Sequence, residues 1–325
     1  MHTHLSSTAS FCVLAALAAP VSGFAAAPAA DYPNRPLRLI VPYPAGGPND
    51  VLARLTGGKL TELWNQPVVI DNRPGAGGNL AVEVTARAEP DGYTMVLHAI
   101  AYAVNPTLYS KVPYRFDQFT PVSIVAKGPL VLVAHPSLNV NTVKELIALA
   151  KAKPGQLQYA SGGNGSSLHL AGEMFKIATG VDLVHIPYKG TNEFIPDLLA
   201  GRVPLSFASP LIMAQHVKAG RIKALGVTSL KRAKGWDVPA IAETVPGFEM
   251  DAWYAILVPA KTPKDVVNKL SATINKGLNM PDVADKMAGL GVEPVGGTPQ
   301  QAAVYIDAEI KKWSQVLKTA GIKAD

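Results

Sequence analysis

Short apolar runs of strand length alternate with helical patterns along almost the whole of this chain, and that alternation constrains the fold more than any other feature. A chain that repeats strand, helix, strand builds α/β layers around mainly parallel sheets. The stretch Leu37 to Ala53 shows the pattern. An apolar run of Leu37, Leu39, Ile40 and Val41 leads into the turn Pro42-Tyr43-Pro44-Ala45-Gly46-Gly47-Pro48, and Asn49 or Asp50 then caps a helix reaching Trp64. The start of a helix carries unpaired N–H groups and the positive end of the helix dipole. Behind a glycine-bearing turn that end suits an anion, although an ordinary βα connection has the same pattern.

A second loop repeats the chemistry. Tyr159-Ala160-Ser161-Gly162-Gly163-Asn164-Gly165-Ser166-Ser167 precedes a helix over Leu168–Thr179 and contains no Lys or Arg. It lacks the Gly-Lys-Ser/Thr ending of a triphosphate loop, whereas bare N–H groups and two serine hydroxyls suit a carboxylate. A third strand, Leu183–Ile186, delivers Pro187-Tyr188-Lys189-Gly190-Thr191-Asn192 and another helix start. The glycines of Asp71–Gly78 lack the spacing and downstream acid of a dinucleotide fingerprint. Asn105-Pro106 and Val112-Pro113-Tyr114 read as an extended connection.

Two interruptions divide the chain. Val122–Ala126 and Leu130–Ala134 are separated by Lys127-Gly128-Pro129, and the strand Ala224–Thr228 with the apolar run Trp253–Val258 reads as the return crossing. The expected lobes are residues 31–126 with 255–325, and 127–254. The tail is helical over Pro263–Leu278, Pro281–Leu290 and Pro299–Thr319. A ligand of such a sheet protein lies beyond the carboxyl ends of the strands, here in a cleft between lobes.

The first thirty residues carry a short apolar core, Phe11–Ala19, then Pro20 and small residues up to Ala30. This is the layout of a secretory leader cleaved near Ala27 to Ala30, although no Lys or Arg precedes the core. Cys12, the only cysteine, would leave with it, so no disulfide or thiol chemistry is expected. The formal charge of +6, from 30 basic and 24 acidic residues, belongs to the part after Ala30. Those cations are scattered, which fits a small anionic ligand better than nucleic acid.

Catalytic or metal chemistry finds little support. His98, His135, His169, His185 and His216 show no metal-binding spacing, and no cofactor is expected. Ser166 and Ser167 are the residues for a competing hydrolase reading, but no Gly-x-Ser-x-Gly elbow or base is evident. His169 falls in the first turn after them and could orient the loop. Asp50 reads as a helix cap, and Lys189 is the one cation beside a candidate anion loop.

YPNRPLRLIVPYPAGGPND, VVIDNRPGAGGN, EPDGYTMVL, NPTLY, YASGGNGSSLHLAGE, HIPYKG and AETVPGFE, in this order, resemble the tripartite tricarboxylate transporter receptor family of Bug-type periplasmic solute receptors. The resemblance runs from Tyr32 to Lys323. It implies an α/β, two-lobed periplasmic binding protein fold of type II-like form with two crossover segments. It further implies a non-enzymatic, monomeric receptor that captures a small carboxylate (a di- or tricarboxylate, or an aromatic acid) for a two-component membrane permease. A sensory receptor docking to a signalling protein is the alternative. Under this resemblance the ligand-binding candidates are Tyr43, Ala45, Gly46, Gly47, Asn49 and Asp50 on the first loop and helix start. Ala99 follows the strand Thr94–His98. Gly165, Ser166, Ser167 and His169 come from the second loop, Tyr188, Lys189, Gly190 and Thr191 from the third, and Ala208 from the end of the strand Leu205–Ala208. Two departures bear on selectivity. Tyr43 stands where the family usually has Phe, and Ala208 or Ser209 where it commonly has Asp. A ligand ammonium is therefore expected to find no carboxylate in the cleft, which disfavours amino acids.

Overall fold

The computed structural model describes residues 31–323. The expected leader and Cys12 lie outside them. The chain opens with β1 (Leu37–Val41), α1 (Pro48–Trp64), β2 (Val68–Asn72), α2 (Asn79–Ala86), β3 (Thr94–Ala99) and α3 (Ala101–Leu108). Next come β4 (Phe119–Pro129), β5 (Val131–Ala134), α4 (Val143–Ala152), β6 (Leu157–Ser161), α5 (Ser167–Thr179), β7 (Leu183–Pro187) and α6 (Thr191–Leu199). Then follow β8 (Leu205–Ala208), α7 (Pro210–Lys218), β9 (Lys223–Val227) and β10 (Asp251–Pro259). The chain closes with α8 (Lys264–Leu278), α9 (Pro281–Gly289), β11 (Glu293–Gly296) and α10 (Pro299–Ala320). None of these helices is long and apolar enough to cross a membrane.

The strands form two sheets, in the orders β11-β4-β10-β3-β1-β2 and β7-β6-β8-β5-β9. β1 is parallel to β2 and β3, and β6 is parallel to β7 and β8. The remaining pairs are antiparallel, so both sheets are mixed rather than mainly parallel. The crossings cause this. The chain leaves the first sheet by β4 and returns to it by β10, so the two strands run in opposite senses and pair over Asp251–Pro259.

The first crossing lies one step later than the break at Lys127-Gly128-Pro129 suggests. β4 continues to Pro129, with Lys127 opposite Trp253 and Glu293, and the chain changes sheet at Leu130. Thr228 joins the two crossings. Its N–H donates to Leu130 O at 2.9 Å, its hydroxyl accepts from Leu130 N–H at 2.7 Å and donates to Met250 O, and its carbonyl accepts from Met250 N–H at 3.0 Å. Asn105-Pro106 is helical rather than extended, lying inside α3. Pro106 leaves the Tyr102 carbonyl without its helical donor, and the Tyr114 hydroxyl replaces it at 2.8 Å.

One continuous apolar core runs through both sheets, with Leu39, Ile40, Val96 and Ile256 fully buried in the first and Tyr159, Phe194 and Phe207 in the second. Phe207 packs against Phe175 in this core, with ring centroids 5.7 Å apart. The carboxyl ends of β1 and β3 in one sheet, and of β6 and β7 in the other, all lead into helix starts. That arrangement sets the site.

Candidate functional site

The first loop is shaped by a knot around Asp50. Its Oδ2 accepts from Gly46 N–H at 2.8 Å and from Arg54 Nε at 2.9 Å, while Oδ1 accepts from Asn72 Nδ2 at 3.0 Å. Asn72 Nδ2 also donates to Tyr43 O at 2.9 Å, so the end of β2 pins the loop after β1. Burial alone would raise the Asp50 carboxyl, but the hydrogen bonds from Arg54, Gly46 and Asn72 outweigh it and hold Asp50 below the usual range. Gly46 takes a φ of +81°, a left-handed conformation that favours glycine. Pro48 stands at the start of α1, where no N–H is needed. Asn49 follows, with its Oδ1 buried and unpartnered.

The second loop is closed by Ser166, the N-cap of α5. Its Oγ accepts from His169 N–H at 3.3 Å and donates to Gly163 O at 2.7 Å, so the hydroxyl is committed within the loop. Ser167 is buried, and none of the described hydrogen bonds uses its hydroxyl. Gly165, at φ +76°, lies so close to α3 that an added Cβ would sit 2.3 Å from Asn105 Oδ1. The two sheets' loops are therefore in contact here.

The third loop completes the closure. An added Cβ on Gly190 would lie 2.9 Å from Pro44 Cδ, and Asn192 Nδ2 donates to Ala45 O at 3.1 Å. With its loops in contact across the cleft, the molecule is closed.

Between the loops lies a cavity of ≈ 50 Å³, measured as the space open to the centre of a water-sized sphere. One water needs roughly 10–15 Å³ on that measure, so the space holds a few waters or one small polar group. Tyr43, Gly47, Asn49 and Ala99 line it from the first sheet's side, and Ser166, Ser167, Gly190 and Thr191 from the second. Asn49, Ser167, Leu168, Thr191 and Asn192 are first-turn residues of α1, α5 and α6, where helix geometry leaves N–H groups without intrahelical partners. Three helix starts thus converge on one cavity. Burial pushes the Tyr43 and Tyr254 phenols up, so both remain O–H donors at neutral pH.

Among the described residues no Lys, Arg or His lines this cavity, and Glu193, an exposed residue whose Oε2 accepts from Lys189 N–H at 3.4 Å, is the one charged residue in its lining. Glu193 stands in the first turn of α6, whereas the candidate Ala208, at the end of β8, is fully buried and outside the cavity lining. Tyr254 was not legible as a lining residue, because β10 brings it beside β3 from far along the chain, opposite Ala99.

The other candidates lie elsewhere. Ala45, Gly46 and Asp50 shape the first loop from outside the cavity, and Gly165 and His169 hold the second. Tyr188 and Lys189 line an adjoining, more open chamber of ≈ 680 Å³, which shares Tyr43, Gly162 and Glu193 with the first. Tyr188 is tied there by its hydroxyl to Asp197. Among the described residues no group of acids, histidines and cysteines is placed to hold a metal.

Two mixed α/β sheets joined by two crossings, with helix starts closing on a cavity between them, define a two-lobed solute-binding protein of the periplasmic type. Residues 52–322 match the model of the tripartite tricarboxylate transporter family receptor, and the chain belongs to that family, one of solute receptors and not of enzymes. The Bordetella pertussis protein BugT is 37% identical over 318 residues, 96% of each chain. Among solved structures, R. palustris Rpa4515 with adipate is 38% identical with a TM-score of 0.87, over 90% of this chain and 99% of that one. The periplasmic binding protein BugD is 34% identical with a TM-score of 0.85, over 90% and 99%. MatC from Rhodopseudomonas palustris with bound malate is 29% identical with a TM-score of 0.83, over 88% and 100%.

Proposed function

We propose that this protein captures an organic carboxylate between its lobes and delivers it to a two-component membrane permease. One observation carries the reading: three helix starts converge, beside Tyr43 and Tyr254, on one small cavity whose described lining has no cation. Such a site binds a carboxylate through backbone N–H groups, each hydrogen bond to the charged group being worth about 1.5–3 kcal/mol. The ≈ 680 Å³ chamber next to it has room for the remainder of a longer acid. The solved relatives that hold adipate and malate support this class of ligand.

The receptor works in the periplasm as a monomer, released from a leader cut near Ala27 to Ala30. Its lobes divide at Leu130 and between Val227 and Asp251, which assigns β4 and β10 whole to the first lobe. The binding candidates that act directly are Tyr43, Asn49, Ser167, Thr191 and Tyr254. A thermal-shift screen over adipate, malate, citrate and benzoate tests the reading, since a ligand at a hundred times its Kd adds about 2.7 kcal/mol of apparent stability. At least one of these acids should raise the melting temperature in proportion to the logarithm of its concentration. No shift with any of them counts against the carboxylate reading.

A further inference from the structure

Behind the second loop, three rings stack: Tyr159 on β6, His185 on β7 and His169 on α5. The ring centroids are 5.0 Å apart between Tyr159 and His185 and 4.1 Å between His185 and His169, with interplanar angles of 27° and 23°. None of the three lines either chamber of the cleft. His169 instead holds backbone of the loop directly, and His185 holds it through the Ser161 hydroxyl. His169 Nδ1 accepts from Gly165 N–H at 3.2 Å. His185 Nε2 is bonded to Ser161 Oγ at 2.6 Å, and the same oxygen accepts from Gly163 N–H at 3.1 Å. Gly163 and Gly165 lead directly into Ser166 and the start of α5.

The acceptor role fixes the state of His169. Its Nδ1 must be bare to receive the Gly165 proton, so the ring proton sits on Nε2. A proton added at Nδ1 would set one donor against another and break that bond. A second charge on His185 would then face the first across 4.1 Å.

We propose that His169 and His185 are positioning residues for the anion-binding loop, which keeps its ligand-receiving shape only while both rings are uncharged. This inference rests on the reading of that loop as part of the carboxylate site. The surroundings favour the uncharged pair. Burial, helped by Lys176, lowers His169 to about 4, and burial, helped by His169, lowers His185 to about 3. Glu173 is the one nearby acid that would favour a charged His185, and it is engaged elsewhere. Its Oε1 accepts from Tyr159 Oη at 2.8 Å and from Lys176 Nζ at 3.0 Å. The remaining neighbours, Tyr159 and Ser161, are neutral. Acid should therefore loosen the loop before the rest of the fold.

The test uses ¹⁵N-labelled protein without ligand, followed by NMR from about pH 7.5 to about 3.5. The ring nitrogens of both histidines should remain uncharged at pH ~6, below the ordinary imidazole pKa of ~6.5. As His169 takes up its proton, protection of the Gly163 and Gly165 amides should fall by about tenfold or more, while amides of α8 hold. His169→Gln, whose side-chain oxygen accepts but does not titrate, should keep Gly165 protected through the acid range. His169→Leu should leave Gly165 poorly protected at every pH. Rings titrating near ~6.5 with both amides unmoved overturn the inference, as does a His169→Leu protein with normal protection at Gly165. Should that variant fail to fold, the parent titration decides alone. Calorimetry with adipate, malate and citrate at neutral pH is read separately: absence of binding sinks the carboxylate reading and leaves the amide result standing.

Discussion

Asn192 Nδ2 on α6 donates to the carbonyl of Ala45 at 3.1 Å, joining the loop after β1 to the helix after β7 across the mouth of the cleft. Both residues are exposed, so the bond adds little to the fold and exists only when the lobes are shut. Asn192→Ala should leave the melting temperature of the ligand-free protein within a degree or so and speed ligand release by about three- to tenfold, the worth of one hydrogen bond. Stopped-flow dissociation measures this. An unchanged release rate means that the clasp plays no part in holding the closed state.

The two serines of the second loop should separate. Ser166 spends its hydroxyl on Gly163 O and His169 N–H, so Ser166→Ala removes a helix cap and should cost about 1 kcal/mol of stability. Ser167 faces the cavity with its hydroxyl uncommitted, so Ser167→Ala should weaken carboxylate binding by about tenfold at nearly unchanged stability. Paired calorimetry and thermal melts distinguish them. Equal loss of affinity without loss of stability in both would show that Ser166 also meets the ligand directly.

Glu193 is in the lining of both chambers. Glu193→Gln should tighten binding of a dianion several-fold by removing like-charge repulsion and leave a monocarboxylate nearly unaffected. Tighter binding of both, or of neither, would mean that the Glu193 carboxylate is turned to solvent in the complex. Because an acid is present, exclusion of amino acids does not follow from the lining.

Acid should destabilise the fold in a defined window. Burial lowers His98 to about 4, His169 to about 4 and His185 to about 3, so the folded state keeps them neutral where the unfolded chain takes up protons. Their contribution is complete above the unfolded value of ~6.5 and is lost as pH falls toward those lowered values, because the unfolded state then binds more protons. The lowered carboxyls of Asp50 and Asp71 act only at more acidic pH. Stability should therefore already decline between pH ~6.5 and ~4.5, on the order of a few kcal/mol in all, and melting temperatures should fall with it. A flat profile over that interval would contradict the burial of these rings as neutral groups.

Much of the site was legible because it is local. Each βα loop announces itself by an apolar run, glycines and a capping residue, and all three proposed loops do meet at one cavity. What escaped was carried by pairing between distant segments. Tyr254 reaches the cavity only because β10 returns between β3 and β4. Asn72 pins the first loop from a neighbouring strand, and Thr228 ties two crossings that lie far apart in the chain. The Asn105-Pro106 error had a related cause. Proline signals a break, and the Tyr114 hydroxyl that compensates for it lies beyond the helix.

In the proposed function the cavity reads negative charge with neutral donors. Calorimetry on the best-binding acid among adipate, malate and citrate, beside its uncharged amide, tests it most directly. The acid should bind at one site per chain and the amide about a hundredfold or more weaker, since hydrogen bonds to a charged group are worth about 1.5–3 kcal/mol each. An amide that binds as well as its acid, or a protein that binds none of the three acids, would contradict it.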